Sequence, residues 1–238
     1  MEKAKRILTI AARWLFIFCL PLMLLTAVIA IAANSQWLYE YGFDKYNVSQ
    51  SSGLADTELE KAASGLISYF NSGEESIDLT VTKDGEPFTL FNEREIAHLK
   101  DVKGLIWLNY WVLLATGSYV LLYAVASLCW LVEESRRQLA TATIIGGGVT
   151  LGMILALGLA AMLDFEDFFL QFHLISFANN LWLLDPAKDY LIMLFPQGFW
   201  YNTTIFIALA TAGLAVVAAG LAGGYLLYRR RQGKREIM

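Results

Sequence analysis

The stretch from Ile106 to Val132, IWLNYWVLLATGSYVLLYAVASLCWLV, runs without a charged side chain for longer than the roughly 20 residues that carry an α-helix across a hydrocarbon layer. Working outward, three more such runs emerge: Trp14 to Ala33, Ala140 to Leu163 and Thr203 to Tyr228. A chain of 238 residues that is 57% hydrophobic, with a mean hydropathy of +0.49, is too apolar for an ordinary soluble domain. The expected fold is an α-helical integral membrane protein with four transmembrane helices. Gly148 with Gly152, and Gly220 with Gly224, lie four apart and are expected to let helices approach closely. Pro21 should kink the first span.

The charges between the runs set an expected orientation. Lys3, Lys5, Arg6 and Arg13 precede the first run, Arg136 and Arg137 separate the second from the third, and Arg229, Arg230, Arg231, Lys234 and Arg235 follow the fourth. By the positive-inside rule these clusters, and with them both termini, belong in the cytoplasm. The chain thus divides into a cytoplasmic N-terminus with helix 1 (1–33), an extracytoplasmic segment (34–105), helices 2 and 3 (106–163), an interfacial extracytoplasmic segment (164–202), and helix 4 with a basic tail (203–238). Trp37, Trp107, Trp111, Trp200 and Tyr201 fall near the outer boundaries, as aromatic belts do. The net charge of −4 gives no support to nucleic-acid binding. Cys19 and Cys129 both sit inside spans, so neither a disulfide framework nor a thiolate nucleophile at the outer face is expected.

The first outer segment carries local structure signals. Leu54, Leu59, Ala62, Ala63, Leu66, Ile67 and Phe70 trace one side of a helix that Asn71-Ser72-Gly73 ends. Ile77 to Thr82 alternates, Lys83-Asp84-Gly85-Glu86 turns and Pro87 to Phe91 returns, which predicts a β-hairpin and a small α+β unit. Asn92 followed by Glu95 resembles a capping box opening a helix that runs on into the second span. In the second outer segment, Phe165, Phe168, Phe169 and Phe172 recur at helical spacing with Asp164, Asp167 and Gln171 between them, an amphipathic interfacial helix. Continued, it would put His173 and Asn180 on one face. Asp185-Pro186 reads as a cap opening a short helix that stops at Pro196.

The chemistry concentrates on two histidines, His98 and His173, one beside each half of the outer region. Imidazole has an unperturbed pKa of about 6.5 and suits proton transfer near neutral pH. Glu95 and Asp101 stand three residues either side of His98 and Arg94 four before it, so a carboxylate in either adjacent turn is expected to orient the ring and raise its pKa. Arg94 and Lys100 are candidates for substrate binding, and Trp182 for an interfacial anchor or acyl-chain groove. Neither histidine has metal-ligand spacing of the His-Glu-x-x-His kind, and no metal or other cofactor is expected.

Three blocks carry a resemblance: Asn92-Glu-Arg-Glu-Ile-Ala-His98-Leu-Lys-Asp-Val-Lys103, Phe172-His173 through Asp185-Pro186, and Asp189-Tyr-Leu-Ile-Met-Leu-Phe-Pro196. Together with the four-span layout they resemble the bacterial lipoprotein intramolecular transacylase family. The chain departs from that pattern at Asn180, where the family often carries an acid.

The resemblance implies an enzyme of the bacterial cell membrane with its active site facing the outer leaflet. Its partner would be a diacylated lipoprotein, and the reaction would move the sn-2 acyl chain of the diacylglyceryl group to the α-amine of the N-terminal cysteine, giving a lyso-form lipoprotein. It implies His98 and His173 as catalytic, one neutral as base and the other protonated as acid, with Glu95, Asp101 and Asn180 in support. Two other classes stay open on the residues themselves: a metal-dependent membrane hydrolase using both histidines, and a non-enzymatic membrane scaffold or sensor.

Overall fold

The chain is seen here as a computed structural model that describes residues 2–129 and 133–235, with side chains for 6–129 and 133–232. The expected C-terminal end of the second span, Trp130 to Val132, and the side chains of Lys3, Lys5, Lys234 and Arg235 lie outside the described residues.

Among the described residues four helices are long and apolar enough to cross a membrane: α1 (Glu2–Ala33), α5 (Glu93–Cys129), α6 (Glu133–Leu163) and α9 (Gln197–Arg235). Helices α1, α6 and α9 each contain one uncharged run and α5 contains the remaining one as far as Cys129, so the protein is a polytopic α-helical membrane protein. Its shorter elements are α2 (Gln36–Lys45), α3 (Val48–Ser52), α4 (Asp56–Asn71), β1 (Thr80–Lys83), β2 (Glu86–Thr89), α7 (Phe165–Ser176) and α8 (Tyr190–Leu194).

By packing, the chain forms two compact units. One takes residues 1–28, 110–158 and 207–238 and is built from the long helices. Its core is Phe16, Ile17, Leu20, Leu24, Val120, Ala142 and Ala215, with Phe16 and Tyr123 in ring contact at 4.9 Å.

The glycine expectation is corrected here. A Cβ placed on Gly148, Gly152, Gly220 or Gly224 meets nothing within 4 Å, so these glycines mark no close approach. Close approaches are instead at Gly146, where a Cβ would stand 3.3 Å from the Ile17 carbonyl oxygen, and at Gly147, where it would stand 3.2 Å from the Ala215 carbonyl oxygen and 3.2 Å from the Ala219 methyl. A large side chain there must push backbone, not a flexible side-chain end. Gly147→Leu should therefore cost about 1–3 kcal/mol, while Gly148→Leu leaves the melting temperature of the detergent-solubilised protein near the parent's. Equal melting temperatures for the two variants would contradict this packing.

The other unit takes residues 29–109 and 159–206. Its core gathers Tyr39 and Phe43 from α2, Leu59, Ala62, Ala63, Leu66, Tyr69 and Phe70 from α4, Val81 from β1, and Leu191, Leu194, Phe195 and Phe199 from 190–199. Each large side chain taken out of water there contributes about 1.5–3 kcal/mol. The expected helix over 54–70 is α4, and the expected hairpin pairs Thr80 with Thr89 through Lys83 with Glu86. Its two-residue turn, Asp84-Gly85, has φ +53° and +85°, the left-handed region that this dipeptide tolerates. Helices α2 and α3 carry too short a periodic pattern to be read in advance. They form because Tyr39, Phe43 and Val48 all find the same core.

A local tie opens the helix that carries His98, and a long-range one fastens the hairpin. Asn92 Oδ1 accepts from the amides of Arg94 (3.0 Å) and Glu95 (3.1 Å), and the Asn92 amide donates back to Glu95 Oε2 (2.8 Å). This is the reciprocal box read from the sequence, and α5 continues from it without a break into the uncharged run that begins at Ile106. Lys83 donates to the Ser52 carbonyl (3.0 Å) and the Tyr190 hydroxyl (2.6 Å), fastening the hairpin to α3 and α8.

Candidate active site

His98 lies in the charged N-terminal part of α5, before the uncharged run, and His173 lies in the last turn of α7. Asp164 caps α7, its carboxylate accepting from the Asp167 amide at 3.0 Å. Both histidines are buried, and their ring centroids stand 6.3 Å apart. The convergence expected of them is therefore met within one compact unit.

The rings around them are aromatic. Phe177 presents its edge to His98 at 5.0 Å and lies 5.6 Å from His173. Phe169 and Phe172 meet His173 edge-on at 4.4 and 5.4 Å, and Trp182 lies 4.9 Å away. Leu170, Phe172, Leu174, Ile175 and Leu183, close to the site in sequence, are exposed apolar side chains. For a membrane protein such surface suits lipid.

The hydrogen bonds assign one tautomer. His173 Nδ1 is 2.7 Å from the Phe169 carbonyl oxygen, which only accepts, so Nδ1 carries the proton and Nε2 keeps a lone pair. His98 Nδ1 is buried with no hydrogen-bond partner among the described residues. Burial holds the His173 pKa below its ordinary value, the Phe169 bond opposing. His98 is pushed down to about 4, first by burial, then by His173, with Asp101 opposing weakly. Both imidazoles are thus neutral near pH 7. This corrects the expected resting pair of one neutral and one protonated histidine, because an apolar aromatic surround disfavours the cation.

The supporting residues also differ from expectation. Glu95 neither orients His98 nor raises its pKa. Its buried carboxylate accepts from the Asn92 amide (2.8 Å) and the Leu191 amide (2.6 Å), joining α5 to α8. Burial pushes the Glu95 pKa up, and those two amides pull it back. Asp101 bonds not to the imidazole but to Asn179, whose side-chain nitrogen donates at 2.8 Å.

Asn180 does not share a helical face with His173, since α7 ends at Ser176 and Phe177 turns extended. Its backbone carbonyl accepts from Arg94 Nη2 at 2.7 Å. Arg94 is thus engaged with protein, as is Lys100, which pairs with Glu75 at 2.6 Å. Trp182, expected as an anchor or groove wall, lies beside His173 and donates its indole N–H to the Asn179 carbonyl at 2.8 Å.

The Asp185-Pro186 helix start is likewise corrected. Asp185 accepts from the Ala187 amide in a turn, and the short helix opens after Asp189, whose carboxylate takes the Asn92 side chain (2.9 Å) and the Asp185 amide (2.6 Å). Phe177 and Asn179 were missed. Phe177, four residues beyond His173, carried a helical-spacing hint; Asn179 had none, because its partner lies 78 residues away.

Among the described residues no three His, Cys, Asp or Glu side chains converge as metal ligands. What the arrangement can do is move a proton in a dry site: one imidazole has a free lone pair, and the second sits beside it with an uncommitted ring nitrogen.

The chain resembles solved structures of the membrane integral lipoprotein intramolecular transacylase Lit from Bacillus cereus. One is 20% identical, covers 100% of both chains and has a TM-score of 0.73; a second, carrying a histidine-to-arginine mutation, is 19% identical over 98% of this chain and 97% of that one, with a TM-score of 0.77. An uncharacterized protein of Aquifex aeolicus (strain VF5) is 26% identical over 196 residues, 80% of this chain and 85% of its own length. The family model for lipoprotein intramolecular transacylase Lit matches residues 14–200. With that match, the chain belongs to the lipoprotein intramolecular transacylase Lit family, whose members are membrane acyltransferases.

Proposed function

We propose that this enzyme takes a lipoprotein whose N-terminal cysteine carries a diacylglyceryl thioether and moves the sn-2 acyl chain to that cysteine's α-amine. The observation that carries this reading is the buried pair of imidazoles, 6.3 Å apart, in an aromatic surround.

Amine and ester belong to one molecule, so folding the headgroup until they meet supplies effective molarities of roughly 10⁵ M or more, and no enzyme nucleophile is required. The neutral amine attacks the ester carbonyl. His173 Nε2 takes the proton from the resulting nitrogen, the bond from carbonyl carbon to glyceryl oxygen breaks, and the same proton passes to that oxygen. His98, kept neutral, donates a ring N–H to the carbonyl oxygen as negative charge develops on it. The family favours acyl transfer over the metal-hydrolase and scaffold alternatives.

We further propose that the termini and the Arg136-Arg137 cluster lie in the cytoplasm and that the histidines face the outer leaflet of the cytoplasmic membrane. The basic clusters flanking the four runs support this. Exposed Trp37, Trp107, Trp111 and Trp200 fit a membrane interface.

The test is to express the chain in bacteria that make only diacylated lipoproteins and to sequence the N-terminal lipopeptides by mass spectrometry. Total mass stays constant, while fragments should show one acyl chain on nitrogen and one on glycerol. Unchanged fragments from a folded, membrane-inserted protein would reject the proposal. In the same assay His98→Gln, which keeps an N–H donor, should retain about tenfold more activity than His98→Ala, consistent with the 10²- to 10³-fold worth of one oxyanion donor.

A further inference from the structure

Arg94, His98 and Asp101 are spaced four and three residues apart on α5 and so share one helical face. The chain that follows α7 is laid along that face and held at both ends. At one end Arg94 donates to the carbonyls of Asn180 (2.7 Å) and Leu181 (3.4 Å). At the other, the Asn179 side chain donates to Asp101 Oδ2 (2.8 Å). The orientation of that amide is fixed, because Asn179 Oδ1 is committed to the Leu181 amide at 3.0 Å. The Asn179 carbonyl in turn accepts from the Trp182 indole, and the Trp182 ring lies 4.9 Å from His173. Phe177, at the start of the same strap, touches both imidazoles.

A continuous chain of contacts therefore runs from the helix of His98 through Asp101, Asn179 and Trp182 to the ring of His173. Helix α7 ends before this strap and α8 begins after it, so residues 177–189 lack repeating backbone hydrogen bonds of their own. Their place is set by these side-chain ties.

We infer that Asp101, Asn179 and Arg94 are positioning residues: they clamp the 177–182 strap to α5 and thereby set the separation of the two catalytic imidazoles. The inference rests on the acyl-transfer reading above and adds to it a role for three residues that touch no reacting atom. It replaces the expectation that Arg94 binds substrate.

The experiment uses the full chain reconstituted in phosphatidylethanolamine–phosphatidylglycerol vesicles with a synthetic diacylglyceryl-cysteinyl peptide, kcat and KM being measured separately. Asn179→Asp sets two carboxylates against each other, releases the strap and should lower kcat about 10- to 100-fold, the cost of a misplacement near 1 Å, with KM little changed. Adding Asp101→Asn to it restores a donor–acceptor pair with the roles exchanged and should recover most of the lost kcat. Should Asn179→Asp not fold, Arg94→Met, which frees the two carbonyls at the other end, carries the same expectation.

A parental kcat for the clamp variant, a loss confined to KM, or a folded swap no better than the single variant would overturn the inference. The parent runs alongside. If it forms no N-acyl product, the acyl-transfer reading falls and takes the inference with it; an active parent with a clamp-insensitive kcat removes the inference alone.

Discussion

Replacing His173 with glutamine should reduce transacylation by about 10²- to 10⁴-fold, the usual worth of a positioned proton carrier, while leaving the fold intact. The reason lies in its hydrogen bond. Nδ1–H is committed to the Phe169 carbonyl, so Nε2 is the one ring atom able to take a proton, and a glutamine amide offers no base of comparable strength. The loss should fall on kcat, and melting temperature and tryptophan fluorescence should match the parent's. His173 packs on Phe169, Phe172 and Trp182, and a side chain of similar length preserves much of that contact.

The pH profile follows from the same environment. Burial depresses the His173 pKa, so the base stays deprotonated at pH values where a free imidazole would be half charged. The acid limb due to the enzyme must lie below pH 6.5. From there to about pH 8 the rate should climb with deprotonation of the substrate's α-amine, whose ordinary pKa is about 7.7–8.0. A parental profile flat across that range, or a His173→Gln variant as active as the parent, would remove His173 from the proton path.

The second large effect is on stability. Glu95→Ala should destabilise the protein by about 2–5 kcal/mol, because it strands the buried amide of Leu191 at roughly 1–3 kcal/mol, removes the partner of the part-buried Asn92 amide and leaves a hole where a buried side chain stood. For a chain of this size that corresponds to a melting temperature lower by roughly 10 °C. The pH dependence has a definite sign. The folded pKa of Glu95 is raised, so the carboxyl binds its proton more readily folded than unfolded, and its contribution weakens as pH rises from the ordinary carboxylate range through the folded value. The difference in melting temperature between parent and variant should therefore narrow over that window. Thermal unfolding followed by circular dichroism measures it, and an unshifted transition would show that α5 and α8 do not depend on this tie.

Much of the local structure was legible in the residues because its causes are local. Four uncharged runs, a helix over 54–70, the hairpin about Asp84-Gly85, the Asn92–Glu95 box and the phenylalanine helix each depend on side chains within a few positions of one another. The site was half legible. The histidines and their place beside the long apolar runs could be read, but the role of Glu95 could not. On spacing alone, a carboxylate one turn from an imidazole is its natural partner. In the structure the Leu191 amide, 96 residues away, reaches that carboxylate instead.

What the sequence by itself determined is the membrane class, the four-helix count and the two histidines, since apolar length and residue chemistry suffice for these. What only the tertiary structure decided is that burial disfavours the charged form of both imidazoles, that Nε2 of His173 holds the lone pair, and that the side chain of Asn179 rather than that of Asn180 bonds to the helix of His98. Protonation, tautomer and partner choice depend on burial and on contacts between segments far apart in the chain, and no local pattern encodes those distances.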